Sequence, residues 1–333
     1  MFNQSANPRF SLQGGPEPDL RREFAQAVRL GLGGEAKELP CRYLYDARGS
    51  ELFDEICLQP EYYPTRTEAA ILKNISGDLL AHFATGPQLI ELGSGSAEKT
   101  RTVIEALLAR FGKGCFLPID VSRSAIEASA NSLLGDYPDL VIQGVALGYL
   151  EGLQQLERVP GVPRLILWLG SSIGNFHRPE AVEFLHTLGA SMQAGDRLLV
   201  GFDLRKDAQR LEEAYDDAAG VTARFILNLL TRINRELGAD FDLGQFQYRA
   251  NYDSEIGRVE MWVESTMRQR VTLTGLNWTV DFEAGERIHM ENSYKYSPEE
   301  ISDLGTNAGL LPLQSWTDPA DLFCEALFGL QGP

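Results

Sequence analysis

The chain has 333 residues, 44% of them hydrophobic, which is enough for two domains with cores of their own. Its 30 basic and 47 acidic side chains leave a net charge of −17, which argues against a nucleic acid or an anionic membrane as partner. The cysteines Cys41, Cys57, Cys115 and Cys324 form no C-x-x-C pair, and His82, His177, His186 and His289 show no metal-ligand spacing. Reduced packing thiols and no metal are expected. A polar N-terminus without a leader pattern, and no apolar run near ~20 residues, give the expectation of a soluble cytoplasmic protein.

Residues 1–18 are rich in Asn, Gln, Gly and Pro and read as a flexible lead-in. A helix from Asp19, its cap, to Leu32 follows, with Phe24, Val28 and Leu32 on one face. Tyr43 to Leu58 reads as a turn opening a short amphipathic helix. Pro60 and Pro64 then bracket Glu61-Tyr62-Tyr63, and two prolines forbid a regular helix there. The tyrosines either pack or wall a pocket. Thr67 to Phe83 reads as a helix.

Leu89-Ile90-Glu91-Leu92 is a short buried strand, Gly93-Ser94-Gly95 a turn that lets backbone approach a ligand, and Lys99 to Phe111 a helix. In an open α/β sheet that crevice holds a nucleotide-like cofactor. A dinucleotide fingerprint needs a third glycine where this chain has Glu98, and no G-K-S/T phosphate loop is present. A cofactor without phosphates fits better, and S-adenosylmethionine is the obvious one.

Further strands are expected at Cys115 to Asp120, Leu140 to Ala146, Arg164 to Gly170 and Arg197 to Asp203. Helices are expected at Ser122 to Leu134 and Pro179 to Met192. That alternation is an α/β, doubly wound, largely parallel sheet. Asp120 ends the second strand, where an acid reaches ribose hydroxyls; a helix N-cap or a solvated end charge is the plain alternative. After Asp203 come helices at Lys206 to Asp217 and Thr222 to Leu237. Strand-like alternation from Phe246 to Met290 suggests an inserted antiparallel lid. A helix from Pro298 to Ala308 and two closing strands, Leu311 to Trp316 and Leu322 to Phe328, complete the chain.

Several blocks then carry a resemblance. Y-D-A-R-G-S-E-L-F-D-E-I, L-Q-P-E-Y-Y-P-T-R-T-E, E-L-G-S-G-S-A-E-K-T-R, G-S-S-I-G-N-F and A-Y-D-D-A-A-G-V-T-A-R-F resemble the S-adenosylmethionine-dependent histidine Nα-methyltransferases of ergothioneine biosynthesis, from about Tyr43 to the C-terminus. The resemblance implies a Rossmann-like class I methyltransferase domain (67–205 and 295–333) and a discontinuous α+β substrate-binding lid domain (19–66 and 206–294). It implies cofactor contacts at Gly93, Lys99 and Asp120, and Tyr63 lining the amino-acid pocket. Asn175 and Tyr215 would hold the substrate carboxylate, and Glu291 and Ser293 would read the imidazole. From the residues alone, Glu291 equally suits a solvated strand charge, Ser293 a turn, and Asn175 a helix N-cap. Where the family has an acid to accept the adenine amino group, this chain has Gly148, with Tyr149 placed beside the ring.

The reaction implied is methyl transfer to the α-amine of L-histidine, repeated to Nα,Nα,Nα-trimethylhistidine (hercynine), by a monomer with no dedicated general base. The alternatives are the same fold methylating another amino acid such as tryptophan, or an idle protein that binds cofactor or amino acid.

Overall fold

Strand-length apolar runs separated by helices need a sheet whose faces are covered, and in the computed structural model, which describes residues 3–4, 7–14 and 20–330, they form one. The chain divides into two units by contact: Met1–Pro16, Arg66–Leu204 and Tyr296–Pro333, and Glu17–Thr65 with Arg205–Lys295.

The first unit contains a nine-stranded sheet. Across it lie Asn3–Gln4, Phe10–Gly14, Leu140–Ala146, Gly114–Asp120, Gln88–Leu92, Arg164–Trp168, Arg197–Asp203, Phe323–Leu330 and Leu310–Thr317. Neighbours from Phe10–Gly14 to Arg197–Asp203 pair in parallel. Phe323–Leu330 runs antiparallel between Arg197–Asp203 and Leu310–Thr317. Gln88–Leu92 and Arg164–Trp168 are buried along their whole length, which is why they read as unbroken apolar runs rather than alternating ones. The chain builds outward on one side of Gln88–Leu92 and then resumes on the other with Arg164–Trp168, so the switch point lies at their carboxyl ends.

The flexible lead-in expected at residues 1–18 is corrected by Phe10–Gly14. This strand pairs in register with Ile142 to Ala146, and its Leu12 is buried. Gln and Gly suit a loop by composition, but the free edge of Leu140–Ala146 supplies the backbone partners that decide the matter. Arg9 fastens it further by donating to the carbonyls of Leu134 (2.9 Å) and Tyr137 (2.8 Å), at the end of helix Arg123–Asp136. The Asp19 cap lies outside the described residues; the helix itself spans Leu20–Gly33. Tyr149–Gln155 is a further short helix, at a stretch where no element was expected.

The second unit packs helices Leu20–Gly33, Ala47–Cys57 and Val221–Leu237 around a core that includes Phe24, Leu44, Phe225, Leu229 and Ile233. Its sheet runs Lys37–Glu38, Arg287–Tyr294, Arg258–Ser265, Phe246–Asp253, and Gln269–Leu273 pairs with Trp278–Phe282 as a separate ribbon. Strand Arg258–Ser265 alternates strictly between buried and half-buried positions, with Val259, Met261 and Val263 inward. Its partner Arg287–Tyr294 does not. Val263 faces Ile288 and Trp262 faces His289, but Met261 faces Glu291, so Met290 is an extra, bulged residue. Opposed residues share a face, so the bulge turns Glu291 and Ser293 to the inner side with Met261 and Val259.

Candidate functional site

The glycine turn is a left-handed corner. Gly93 has φ +74° and Gly95 φ +47°, a region where a side chain costs strain. The Gly93 N–H donates to the Ile119 carbonyl (2.8 Å), which ties the turn to the neighbouring strand end. A Cβ on Gly93 would sit 2.9 Å from the Tyr149 hydroxyl, whereas one on Gly95 would meet nothing within 4 Å. One side of the turn is therefore closed by Tyr149 and the other is open. The Tyr149 ring packs edge-on against Trp168 and Phe184. Gly148 is the N-cap residue of helix Tyr149–Gln155, with open space where its side chain would be.

Asp120 is neither a helix cap nor a solvated end charge. Its Oδ2 accepts the Gly95 N–H (3.0 Å) and its Oδ1 the Ser122 N–H (2.8 Å), while Ser122 itself caps helix Arg123–Asp136. Burial raises its pKa against those two bonds, which favour the anion. Each carboxylate oxygen keeps a lone pair for a further donor. An open glycine turn backed by such an acid suits S-adenosylmethionine: the acid suits ribose hydroxyls, and Glu98 replaces the third glycine of a dinucleotide fingerprint with an anion.

Lys99 pairs with Glu68, which is fully buried and also accepts the Gly170 N–H at 2.6 Å. Burial pulls the Lys99 pKa down, but its acidic neighbours, Glu68 first, outweigh this and raise it. Two more buried acids stand nearby. Glu91 accepts the Thr100 hydroxyl (2.7 Å), and burial pushes its pKa to about 8. Glu325 lies opposite Gly201, and a Cβ on Gly201 would fall 2.4 Å from Glu68 Oε1. The missing side chain admits the Glu68 carboxyl beside Glu325. As a carboxylate, Glu325 has no donor for either oxygen among the described residues. Burial and the Glu68 charge hold its pKa well above the usual range, which favours the neutral form of Glu325 beside Glu68.

Asn175 ends the short 3-10 turn Ser172–Asn175 that follows the fourth parallel strand; His177, not Asn175, caps helix Arg178–Ala190. It belongs to the first unit. The remaining expected residues belong to the second. Tyr63 is buried, its hydroxyl accepting from Lys206 (2.7 Å), while its neighbour Tyr62 packs edge-on against Tyr215. The Tyr215 hydroxyl lies 2.8 Å from Ser293 Oγ, and the Tyr215 carbonyl accepts from Tyr248 (2.6 Å). Glu291 is 8% exposed and Ser293 5%, both within a strand, which removes the solvated-charge and turn alternatives.

Sequence reasoning missed Glu68, Glu325, Lys206 and Lys295. A signal existed for Glu325, an acid inside the apolar run F-C-E-A-L-F. Lys295 repeats the two-residue step of Glu291 and Ser293. Among the described residues, no cluster of His, Cys, Asp and Glu could hold a metal, and no helix is long and apolar enough to cross a membrane.

Residues 24–330 match the family model described as "Histidine-specific methyltransferase, SAM-dependent". The chain is 44% identical over 304 residues to a histidine N-alpha-methyltransferase of Mycolicibacterium smegmatis, covering 91% of this chain and 92% of the other. It is 33% identical to the ergothioneine biosynthesis protein 1 of Neurospora crassa, over 90% of this chain but 34% of that longer one. It is 29% identical to an L-tryptophan methyltransferase of Psilocybe serbica, over 93% of this chain and 92% of the other.

Proposed function

The chain belongs to the S-adenosylmethionine-dependent, histidine-specific methyltransferase family, and from that premise we propose that it methylates the α-amine of L-histidine three times, giving hercynine for ergothioneine biosynthesis. The observation that supports the substrate most is the Met290 bulge, which turns an acid and a hydroxyl inward on one strand face. Glu291 can accept an imidazole N–H and Ser293 can donate to the other ring nitrogen, a pairing specific for a two-nitrogen ring. An indole would leave Ser293 unpaired.

In this reading the Gly93 turn, Lys99 and Asp120 hold the cofactor, with Gly148 and Tyr149 flanking its base. S-adenosylmethionine, when bound, supplies an electrophilic methyl group on its sulfonium sulfur. Asn175 and Tyr215 hold the amino-acid carboxylate, and Tyr63 bounds the same ligand. The residues of 17–65 and 205–295 are read as the substrate-binding part and the remainder as the cofactor-binding part. The amine must be neutral to attack. With a pKa of roughly 8, that costs only about 1–2 kcal/mol near neutral pH. Holding reactants in line is worth up to ~7–11 kcal/mol. Orientation therefore dominates, and no residue is assigned as a general base. A net charge of −17 supports a monomer with neither nucleic-acid nor membrane partners, and the protein is read as cytoplasmic.

The test is mass spectrometry of the purified protein incubated with S-adenosylmethionine and L-histidine, with L-tryptophan in parallel. Three added methyl groups on histidine, lost in Glu291→Ala, support the reading. Methylated tryptophan instead moves the substrate, and no product with either amino acid despite cofactor binding overturns the activity.

A further inference from the structure

Lys295 is fully buried, and its Nζ donates to two hydroxyls at once: Tyr215 at 2.7 Å and Ser293 at 2.8 Å. The ammonium also stands 4.4 Å from the centroid of the Tyr215 ring. Its own N–H, donated to the Gly257 carbonyl (2.8 Å), fixes the backbone from which the side chain extends. Tyr215, Ser293 and Lys295 thus form a triangle, since the two hydroxyl oxygens are themselves 2.8 Å apart.

The proton inventory of this triangle is informative. An ammonium only donates, so each hydroxyl oxygen gives it a lone pair. Two hydroxyl protons remain. One can bridge the two oxygens, which lie 2.8 Å apart. A ligand can draw a proton toward itself because Lys295 holds both oxygens in place when that bridge opens. The cluster therefore presents donors backed by a positive charge, and its natural complement is an anion.

We propose that Lys295 is a positioning residue that gives this site its selectivity for a carboxylate-bearing substrate, acting through the Tyr215 hydroxyl, while Ser293 keeps its proton for the ring. The proposal rests on the reading that Tyr215 binds the amino-acid carboxylate. Lys295 touches no reacting atom. It orients the Tyr215 proton toward the carboxylate and adds an attraction that a decarboxylated analogue cannot use. A charge-assisted contact of this kind changes affinity by about 10-fold or more.

The test compares wild type, Lys295→Met and Lys295→Gln. It reads kcat and KM for L-histidine and the inhibition constant of histamine, which keeps the ring and amine but lacks the carboxylate. Expected for Lys295→Met is a KM for histidine raised about 10-fold or more, kcat within about 3-fold, and histamine inhibition within about 3-fold. Lys295→Gln keeps a donor without the charge, and its KM should fall between the two; it carries the test if the methionine variant does not fold. Equal losses for histidine and histamine, or a fall in kcat at unchanged KM, would make Lys295 merely structural and overturn the proposal. A wild type that does not methylate histidine would instead remove the functional reading itself.

Discussion

Gly93 is a position where one added carbon should do harm in two ways. Its φ of +74° is strained for any side chain, and the Tyr149 hydroxyl occupies the adjoining space. Gly93→Ala should cost roughly 1–2 kcal/mol of stability from the left-handed backbone alone. It should also weaken S-adenosylmethionine binding about 10-fold or more, as read by calorimetry. Unchanged affinity would mean that the turn does not touch the cofactor. The buried acids make a second, paired expectation. Burial favours the neutral form of Glu325, so Glu325→Gln should keep cofactor affinity within about 3-fold, whereas Glu68→Gln takes the paired carboxylate from Lys99 and should lose 10-fold or more. Equal losses in both would refute a neutral Glu325.

Glu91 sets a pH dependence of its own. Burial holds its folded pKa near 8, above the ordinary 4.5. Between those values the unfolded chain has released a proton that the folded chain keeps, so this group favours unfolding progressively as pH rises from about 4.5 to about 8. Its effect is absent below that window and constant above it. Glu91→Gln should therefore gain stability relative to wild type across that window, by at most about 4 kcal/mol. Melting temperatures of both proteins at pH 5 and pH 8 would reveal it, and parallel curves would contradict it.

The Met290 bulge is the feature of strand Arg287–Tyr294 that chooses the inward side chains. Deleting Met290 should restore plain alternation while leaving Glu291 opposite Met261, so Glu291 and Ser293 should stay inward and histidine methylation should survive. Replacing Glu291 and Ser293 together by alanine should instead abolish histidine methylation while S-adenosylmethionine still binds; retained turnover would show that these side chains do not read the ring. The bulge was not legible beforehand, because M-E-N-S-Y contains no glycine and only the partner strand reveals the extra residue. Strand Phe10–Gly14 was hidden differently: its stability comes from Leu140–Ala146 and from Arg9, far along the chain. Helix Tyr149–Gln155 is a bare two turns and has little periodicity to detect. By contrast, the parallel strands announced themselves, since full burial forces unbroken apolar runs. Arg9→Ala removes the bonds to the carbonyl end of helix Arg123–Asp136 and should lower stability by about 1 kcal/mol. A melt indistinguishable from wild type would show the strand to be held by its backbone alone.

At the scale of the molecule, the two units have separate hydrophobic cores, yet each is assembled from stretches far apart in sequence. Glycine spacing and a terminal acid exposed the glycine-turn corner of the first unit, because its geometry is local: Gly95 and Asp120 meet at adjacent strand ends. The lysine and glutamate partners escaped notice because their roles depend on strands that meet only after folding. Phe323–Leu330 is the clearest case, an interior strand that brings Glu325 to Glu68 and Lys99.

That strand position has a consequence for how the protein is made. Translation delivers the five parallel strands from Gln88 to Asp203 first, then all of Arg205–Lys295, and only afterwards the strand that covers the Arg197–Asp203 edge. During that interval the nascent sheet carries an open apolar edge and an incomplete lysine cluster. A ribosome that stalls before Phe323 should therefore release aggregating chain, and never a shortened enzyme that still holds its cofactor.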